Sequence, residues 1–296
     1  MFRPLTLFAA FGIIASTPAA ASVPRASPPP TSRVISIPFD PPLGETLVYR
    51  VSRSDPGNQQ GATVAVEVRL TFTRDADGFI LTVVTPLPAG APDDEMSRLA
   101  ARPFSVRLSA DGQMTGLVDE AGFWAALDRL ATRMPEGAER RATEAVYARM
   151  RAMPPADLLA MIGSSFAPVI AFAGANVTQG EVTQPDSQTE TLVGRLTMHS
   201  RIICEAMDDE TVRITIIAGV PPDQLSGGMS NMLHDVGPPG AARIPVHITS
   251  YEDRATYVVS RGTGLAESFR STRTVAAEQD GISQTVVQTR EINRAR

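Results

Sequence analysis

The chain has 296 residues, with 32 acidic side chains, 27 basic side chains, a formal net charge of -5 and 5% aromatic residues. This mildly acidic balance lacks the basic footprint of a protein that binds nucleic acid or an anionic membrane surface. Cys204 is the only cysteine, so no disulfide can form within the chain and stability must come from core burial. Every basic residue is Arg, which indicates a GC-rich bacterial gene.

The first 21 residues have the features of a secretory signal peptide. Arg3 precedes the apolar run from Leu5 to Ala15, and small residues at Ala19–Ala21 lead to Ser22. The run is too short to span a bilayer, which takes roughly 20 apolar residues. No cysteine lies directly after this apolar run, so the lipid anchor of bacterial lipoproteins is not expected. We predict that residues 1–21 are cleaved and that the mature protein is soluble and is periplasmic or secreted.

Residues 22–43 are rich in proline and lack an apolar period, which predicts an extended N-terminal tether. From Glu45 the period is two, as in Val64, Val66 and Val68, and this pattern is typical of antiparallel strands with one dry face. Turn signals divide the region before residue 119 into two long hairpins. The sequence therefore predicts a β-rich half at this end of the domain.

Strand periodicity returns at Asn176 and continues to the C-terminus. The segment from Pro221 to Arg243 interrupts it and is rich in Gly, Pro and Met. We predict that this segment is a long loop with a short helix around Ser230 to His234.

One helical region, residues 119–174, separates the two β halves. Asp119 is a candidate N-cap, and prolines at 135 and 154 divide the region into two amphipathic helices and a more apolar third piece from Leu158 to Phe172. Strands on either side of a helical insert can share one core. The pattern predicts a single α+β domain over residues 44–296 with a central helical insert.

Few residues favour catalysis, and we predict that the protein is not an enzyme. The sequence has no H-E-x-x-H motif and no clustered Cys and His, so no metal site or cofactor is expected. Cys204 falls on the apolar face of a strand, as an inert thiol would. His234 and Asp235 are the one pair suited to acid–base chemistry, and a hydrolase using them is an alternative.

The helical region carries a large, methionine-rich apolar surface. This surface is either ordinary core or the lining of a ligand cavity between a sheet and a helical lid. The candidate ligand-binding residues are Phe123, Trp124, Leu127, Met134, Val146, Met150, Met153, Met161 and Phe166.

The order of elements, with long hairpins, a helical insert and a return to strands, resembles the periplasmic lipoprotein-carrier and LppX-like group. The strand Tyr257–Leu265, which ends in Thr-Gly-Leu, looks like the segment that leads into the closing strands of such proteins. The resemblance implies a strongly curved antiparallel β-sheet, a half-barrel, with the helical insert packed on its concave face. It implies binding rather than catalysis, and no catalytic residue.

These observations favour an exported protein that binds an apolar or lipid-like ligand between the sheet and the helices. The alternative of a different class is a cell-envelope interaction module that binds another protein and has a filled interior. We expect no nucleic-acid partner and no membrane span.

Overall fold

The structure is a computed structural model that describes residues 33–54, 63–87, 101–191, 193–236, 247–279 and 282–295. The predicted signal peptide lies outside these residues. Within them the chain forms fourteen strands and five α-helices, numbered here in chain order.

The strands are β1 (Val34–Ser36), β2 (Thr46–Ser54), β3 (Thr63–Asp75), β4 (Gly78–Val84), β5 (Phe104–Ser109), β6 (Met114–Leu117), β7 (Asn176–Thr178), β8 (Gly180–Thr183), β9 (Ser187–Thr191), β10 (Gly194–Ala206), β11 (Thr211–Gly219), β12 (His247–Ser260), β13 (Ala266–Gln279) and β14 (Ile282–Arg294). The helices are α1 (Glu120–Arg133), α2 (Ala138–Arg151), α3 (Pro155–Ile162), α4 (Ala167–Ile170) and α5 (Pro222–Val236), with a 3₁₀ turn at Gly163–Ser165 between α3 and α4.

Twelve strands form one antiparallel sheet in the order β6-β5-β4-β3-β2-β14-β13-β12-β11-β10-β8, and β9 also pairs with β10. The first and last parts of the chain meet where β2 pairs with β14, with Val51 opposite Ile292. The two β halves therefore belong to one large sheet in an α+β fold. Through the part of the chain described, the sheet is open, with β6 at one end of the order and β8 at the other.

One face of the sheet is buried, and we call it the covered face. Ile214, Tyr257, Phe269, Ile292 and Val51 lie opposite one another in register across five consecutive strands. All five side chains are buried. Because side chains alternate along a strand, the residues next to each of these five in sequence lie on the opposite face of the sheet.

Two apolar clusters cover this face. The first joins β1 and the segment Phe166–Ala173 to strands β2–β6 and parts of β11–β14. In the second, Leu225, Met229 and Met232 of α5 pack with Ile248 of β12 and its neighbours. The core therefore lies between one face of the sheet and a single covering layer, which is made of helices, loops and the paired strands β1 and β7.

Helix α1 begins where the sequence predicts it, because the Asp119 carboxylate accepts a hydrogen bond from the backbone N–H of Gly122 at 2.9 Å. Helix α5 corrects the prediction of a long loop from Pro221 to Arg243 with a short helix around Ser230 to His234, since the helix spans 15 residues, Pro222–Val236. Residues 237–243 of the predicted loop lie outside the described residues. Among the described helices, none combines the length and the apolar character needed to cross a membrane.

The predicted tether also ends earlier than expected. Val34–Ser36 pairs with Asn176–Thr178, and both Ile35 and Ile37 are buried. A short alternation of apolar residues between the prolines was enough to add a strand, so the folded domain begins before residue 44. The remainder of the tether, up to residue 32, lies outside the described residues.

Candidate functional site

The nine residues predicted to bind a ligand fall into separate groups. Phe123 and Phe166 pack with the first apolar cluster, whereas Met153 and Met161 pack with the second. Phe166 is fully buried and the other eight are half-buried. The structure therefore distributes the predicted surface over both clusters and the contact between α1 and α2.

Arg151 connects α1 to α2. Its guanidinium lies 4.7 Å from the centre of the Trp124 ring and donates to both carboxylate oxygens of Asp128, at 2.7 and 2.8 Å. The Trp124 ring in turn contacts Phe123, with ring centres 5.4 Å apart. These contacts hold Trp124 beside the first cluster rather than inside it.

A set of polar side chains interrupts the apolar covered face. Tyr251, Asp253, Arg273, Gln288 and Arg290 lie on the same face as the buried apolar residues Ala255, Val275, Val286 and Ile292 of their strands. We call these five residues the polar belt. Asp253, Arg273 and Gln288 lie opposite one another across β12, β13 and β14, so the belt crosses three strands.

The belt contains one buried ion pair. Arg273 donates from Nη2 and Nε to the same carboxylate oxygen of Asp253, at 2.7 and 3.1 Å, and the two side chains are 15% and 11% exposed. Burial alone would lower the pKa of Arg273, but Tyr251 and Asp253 beside it raise that pKa above its ordinary value. The Asp253 carboxylate is therefore committed to Arg273.

Arg290 lies in a less favourable electrostatic environment. It donates a hydrogen bond to the backbone carbonyl of Ser164, which places the 3₁₀ turn over the belt. Burial lowers the pKa of Arg290 to about 10; Tyr257 opposes this shift, and the charges of Arg53 and Arg273 add smaller contributions that lower the pKa further. The side chain is still charged at neutral pH, so the belt itself carries two guanidinium groups and one carboxylate.

Gln288 adds a hydrogen-bond donor to this surplus of positive charge. The residue is 9% exposed, and among the described residues its side-chain nitrogen Nε2 has no hydrogen-bond partner. A buried donor without a partner costs about 1–3 kcal/mol, so it is unusual in a folded protein. The belt therefore has donor capacity that the described chain does not use.

The belt separates the two apolar clusters. Ile248 and Val275 on one side belong to the second cluster, and Ala255 and Phe269 on the other side belong to the first. Arg53, which is exposed and lies opposite Arg290 in register, marks the end of the belt nearest to solvent. A polar site flanked by apolar surface on both sides suits a ligand with one charged group.

The other sequence candidates do not gather at this site. The backbone of His234 and Asp235 belongs to α5, and their side chains lie outside the described part of the structure, so the hydrolase hypothesis stays a prediction. Cys204 is buried, and burial raises the pKa of its thiol to about 11. Within the described ranges, no group of His, Cys, Asp and Glu has the arrangement of a metal site.

A concavity of about 660 Å³ lies across β10–β14. Most of its lining, including Arg213, Thr256 and Glu291, alternates with covered-face residues and so belongs to the opposite face of the sheet. Paired charges lie across it, for example Arg270 and Glu291 at 3.5 Å. Its lining mixes charged and hydroxyl side chains with Ile203, Val258 and Phe269, unlike the apolar clusters beneath the helices.

Comparison with protein-family models finds no match to this chain, and comparison with curated proteins finds none either. The chemistry of the site therefore has to be inferred from its own residues.

The sequence contains a signal for the belt that the apolar pattern alone did not reveal. Asp253 alternates in phase with Ala255 and Tyr257 on β12, and Arg273 alternates in phase with Phe269 and Val275 on β13, where a half-buried sheet places aliphatic side chains. A single charge in such a position is common at a strand end. Two charged residues at mid-strand positions on neighbouring strands indicate a shared buried site.

Proposed function

We propose that this protein is an exported bacterial binding protein that holds an apolar or lipid-like ligand between its sheet and the helical segment 119–174. The observation that carries the proposal is the half-burial of eight of the nine predicted residues. Ordinary core would bury most of these large side chains. Apolar side chains that adjoin two core clusters and still reach solvent offer a surface that an apolar ligand would cover.

A curved sheet is part of this proposal, because a half-barrel gives the ligand a lumen. Phe39 supports the curvature. A Cβ added at Gly112, in the β5–β6 turn, would lie 3.1 Å from the Phe39 ring, and a Cβ added at Gly264, in the β12–β13 turn, would lie 3.3 Å from the Phe39 Cα. Six strand spacings, roughly 29 Å on a flat sheet, separate these turns in the strand order. The approach of one residue to both turns supports a sheet that bends toward Phe39.

The methionines favour a flexible apolar ligand. Met153 and Met161 of the helical segment pack against the cluster that contains Met229 and Met232 of α5. Methionine side chains adapt to ligands of different shape because they are unbranched and polarizable. An acyl chain is the ligand class that such a lining accommodates best, in keeping with the resemblance to lipoprotein carriers.

Native mass spectrometry of the protein purified from its own periplasm tests the proposal. We expect a bound mass in the lipid range and uptake of a fluorescent fatty-acid probe. Met161→Asn would weaken probe binding severalfold, because it places an amide against the second cluster. Met207→Asn is the matched control, since Met207 is 47% exposed and packs in neither cluster. A ligand-free mass together with no probe uptake would refute the proposal.

The concavity on the opposite face favours a second candidate function, an interaction module of the cell envelope. Its mixed lining, with paired charges beside apolar side chains, and its size suit a segment of another protein better than a lipid. This candidate predicts a co-purifying protein whose binding is lost in Arg213→Glu and retained in Met161→Asn. The reverse pattern would favour the lipid-binding function.

A further inference from the structure

The polar belt is a second feature of the covered face, and its charges are not balanced from within. Asp253 neutralises Arg273 through two hydrogen bonds to one oxygen. Arg290 has the backbone carbonyl of Ser164 as its hydrogen-bond acceptor. A carbonyl satisfies the donor but does not neutralise the charge, and withdrawing a charge from water without a full counter-charge is costly, even for a half-buried side chain such as Arg290.

From this geometry we infer that the belt binds the acidic head group, a carboxylate or phosphate, of the ligand that the proposed function places between sheet and helices. Guanidinium groups present paired N–H donors that match the two oxygens of such a group. The side-chain amide of Gln288, which has no partner among the described residues, supplies another donor. The inference rests on the proposed function for the ligand's apolar part.

The position of the belt determines how such a ligand would lie. The head group would lie beneath the 3₁₀ turn at Ser164, and the chain would extend along the second cluster past Met161. Arg53 lies opposite Arg290 in register and marks the exposed end of the belt, through which the head group would enter. The ligand class is therefore an amphipathic acid rather than a neutral lipid.

Calorimetric titration of the purified full chain with decanoate, decanol and inorganic phosphate separates the possible sources of the anion. We expect decanoate to bind roughly tenfold more tightly than decanol, or better, because the charged group forms charge-assisted hydrogen bonds. In Arg290→Gln the two affinities should become similar. Arg270→Gln, which removes a 67% exposed arginine from the opposite face, should leave the ratio unchanged.

A second variant covers the case in which Arg290→Gln fails to fold. Gln288→Leu removes the unused donor without leaving a buried charge, so it should fold at least as well as the wild type and should reduce the preference for decanoate. A preference that stays unchanged in Gln288→Leu and in any folded Arg290 variant would overturn the inference.

The remaining outcomes distinguish this inference from the proposed function. Equal binding of decanoate and decanol overturns head-group recognition and leaves the apolar ligand in place. Binding of phosphate alone, if Arg290→Gln abolishes it, refutes the lipid ligand and shows that the belt takes a free anion. No binding of any of the three probes refutes both.

Discussion

Asp253 and Arg273 illustrate how much a single carboxylate contributes to the free energy of unfolding when its charged partner is buried. The pair is more than four-fifths withdrawn from water on both sides. Replacing the carboxylate by an amide of the same shape would leave the guanidinium charge in place without its counter-charge. Removal of one partner from a buried pair is far more costly than removal of the whole pair.

Asp253→Asn should therefore lower the free energy of unfolding by about 3–5 kcal/mol, measured by urea denaturation. Glu291→Gln is the control, since it breaks the pair with Arg270 at 3.5 Å, whose side chains are 38% and 67% exposed. Exposed pairs contribute less than about 1 kcal/mol. If the two variants lost similar amounts of unfolding free energy, Asp253 would not neutralise Arg273 in solution.

At the scale of single residues, the sequence indicated which side chains are apolar and share a face, but it did not show which polar side chains are buried. Phe123 and Phe166, which the sequence left open as either core or ligand lining, pack with the first cluster. Arg273 and Gln288 were not identified as buried. Strand periodicity shows which residues share a face, but Val286 and Val287 are consecutive, so the pattern in β14 does not say which face is covered.

Helix α5 shows at the scale of elements how packing overrides local propensity. Two glycines and a proline at its start made the segment look like a loop. Leu225, Met229 and Met232 nevertheless recur at helical spacing, and all three are buried against the sheet. Most helical stability in proteins comes from burial of an apolar face, which outweighs the unfavourable glycines. The spacing of these three residues was the signal available in the sequence.

The two glycines of α5 should respond in opposite ways to alanine. Gly227 has open space where a Cβ would be added, so Gly227→Ala should stabilise the protein by about 0.5–1 kcal/mol through helix propensity. A Cβ at Gly228 would overlap the backbone carbonyl of Val193, so Gly228→Ala should destabilise it by about 1–3 kcal/mol. Paired thermal unfolding curves measure both effects. Stabilisation by both substitutions would mean that α5 does not pack closely on Val193.

The helices of the segment 119–174 were predicted more accurately because their ends carry local signals. Asp119 caps α1, and proline begins α3. These signals act over three or four residues and need no knowledge of the rest of the chain. What covers each helix depends on distant strands, which is why the nine predicted residues divide between two clusters and a helix–helix contact.

The pairing of β2 with β14 is the least predictable feature at the scale of the whole molecule. Val51 and Ile292 are partners although nearly the full domain separates them in sequence. Alternation identifies a strand and its faces but not its neighbour, so the sequence supported one sheet without its strand order. The pairing also has a physical consequence, because it is the only register through which the first five sheet strands join the rest in the described chain.

This arrangement predicts that the sheet unfolds as one unit. Ile292 is 1% exposed and packs in the first cluster, so Ile292→Ala should cost about 2–5 kcal/mol. Hydrogen exchange followed by mass spectrometry should show the most protected amides of β3 and β11 losing protection by the same free energy, although these strands lie on opposite sides of the pairing. Val287→Ala, at a 44% exposed position of β14, should change the opening free energy of β3 and of β11 by no more than about 0.5 kcal/mol.

Loss of protection confined to β3 or to β11 would instead mean that the two halves of the sheet open independently. In that case the ligand surface between them could open without global unfolding.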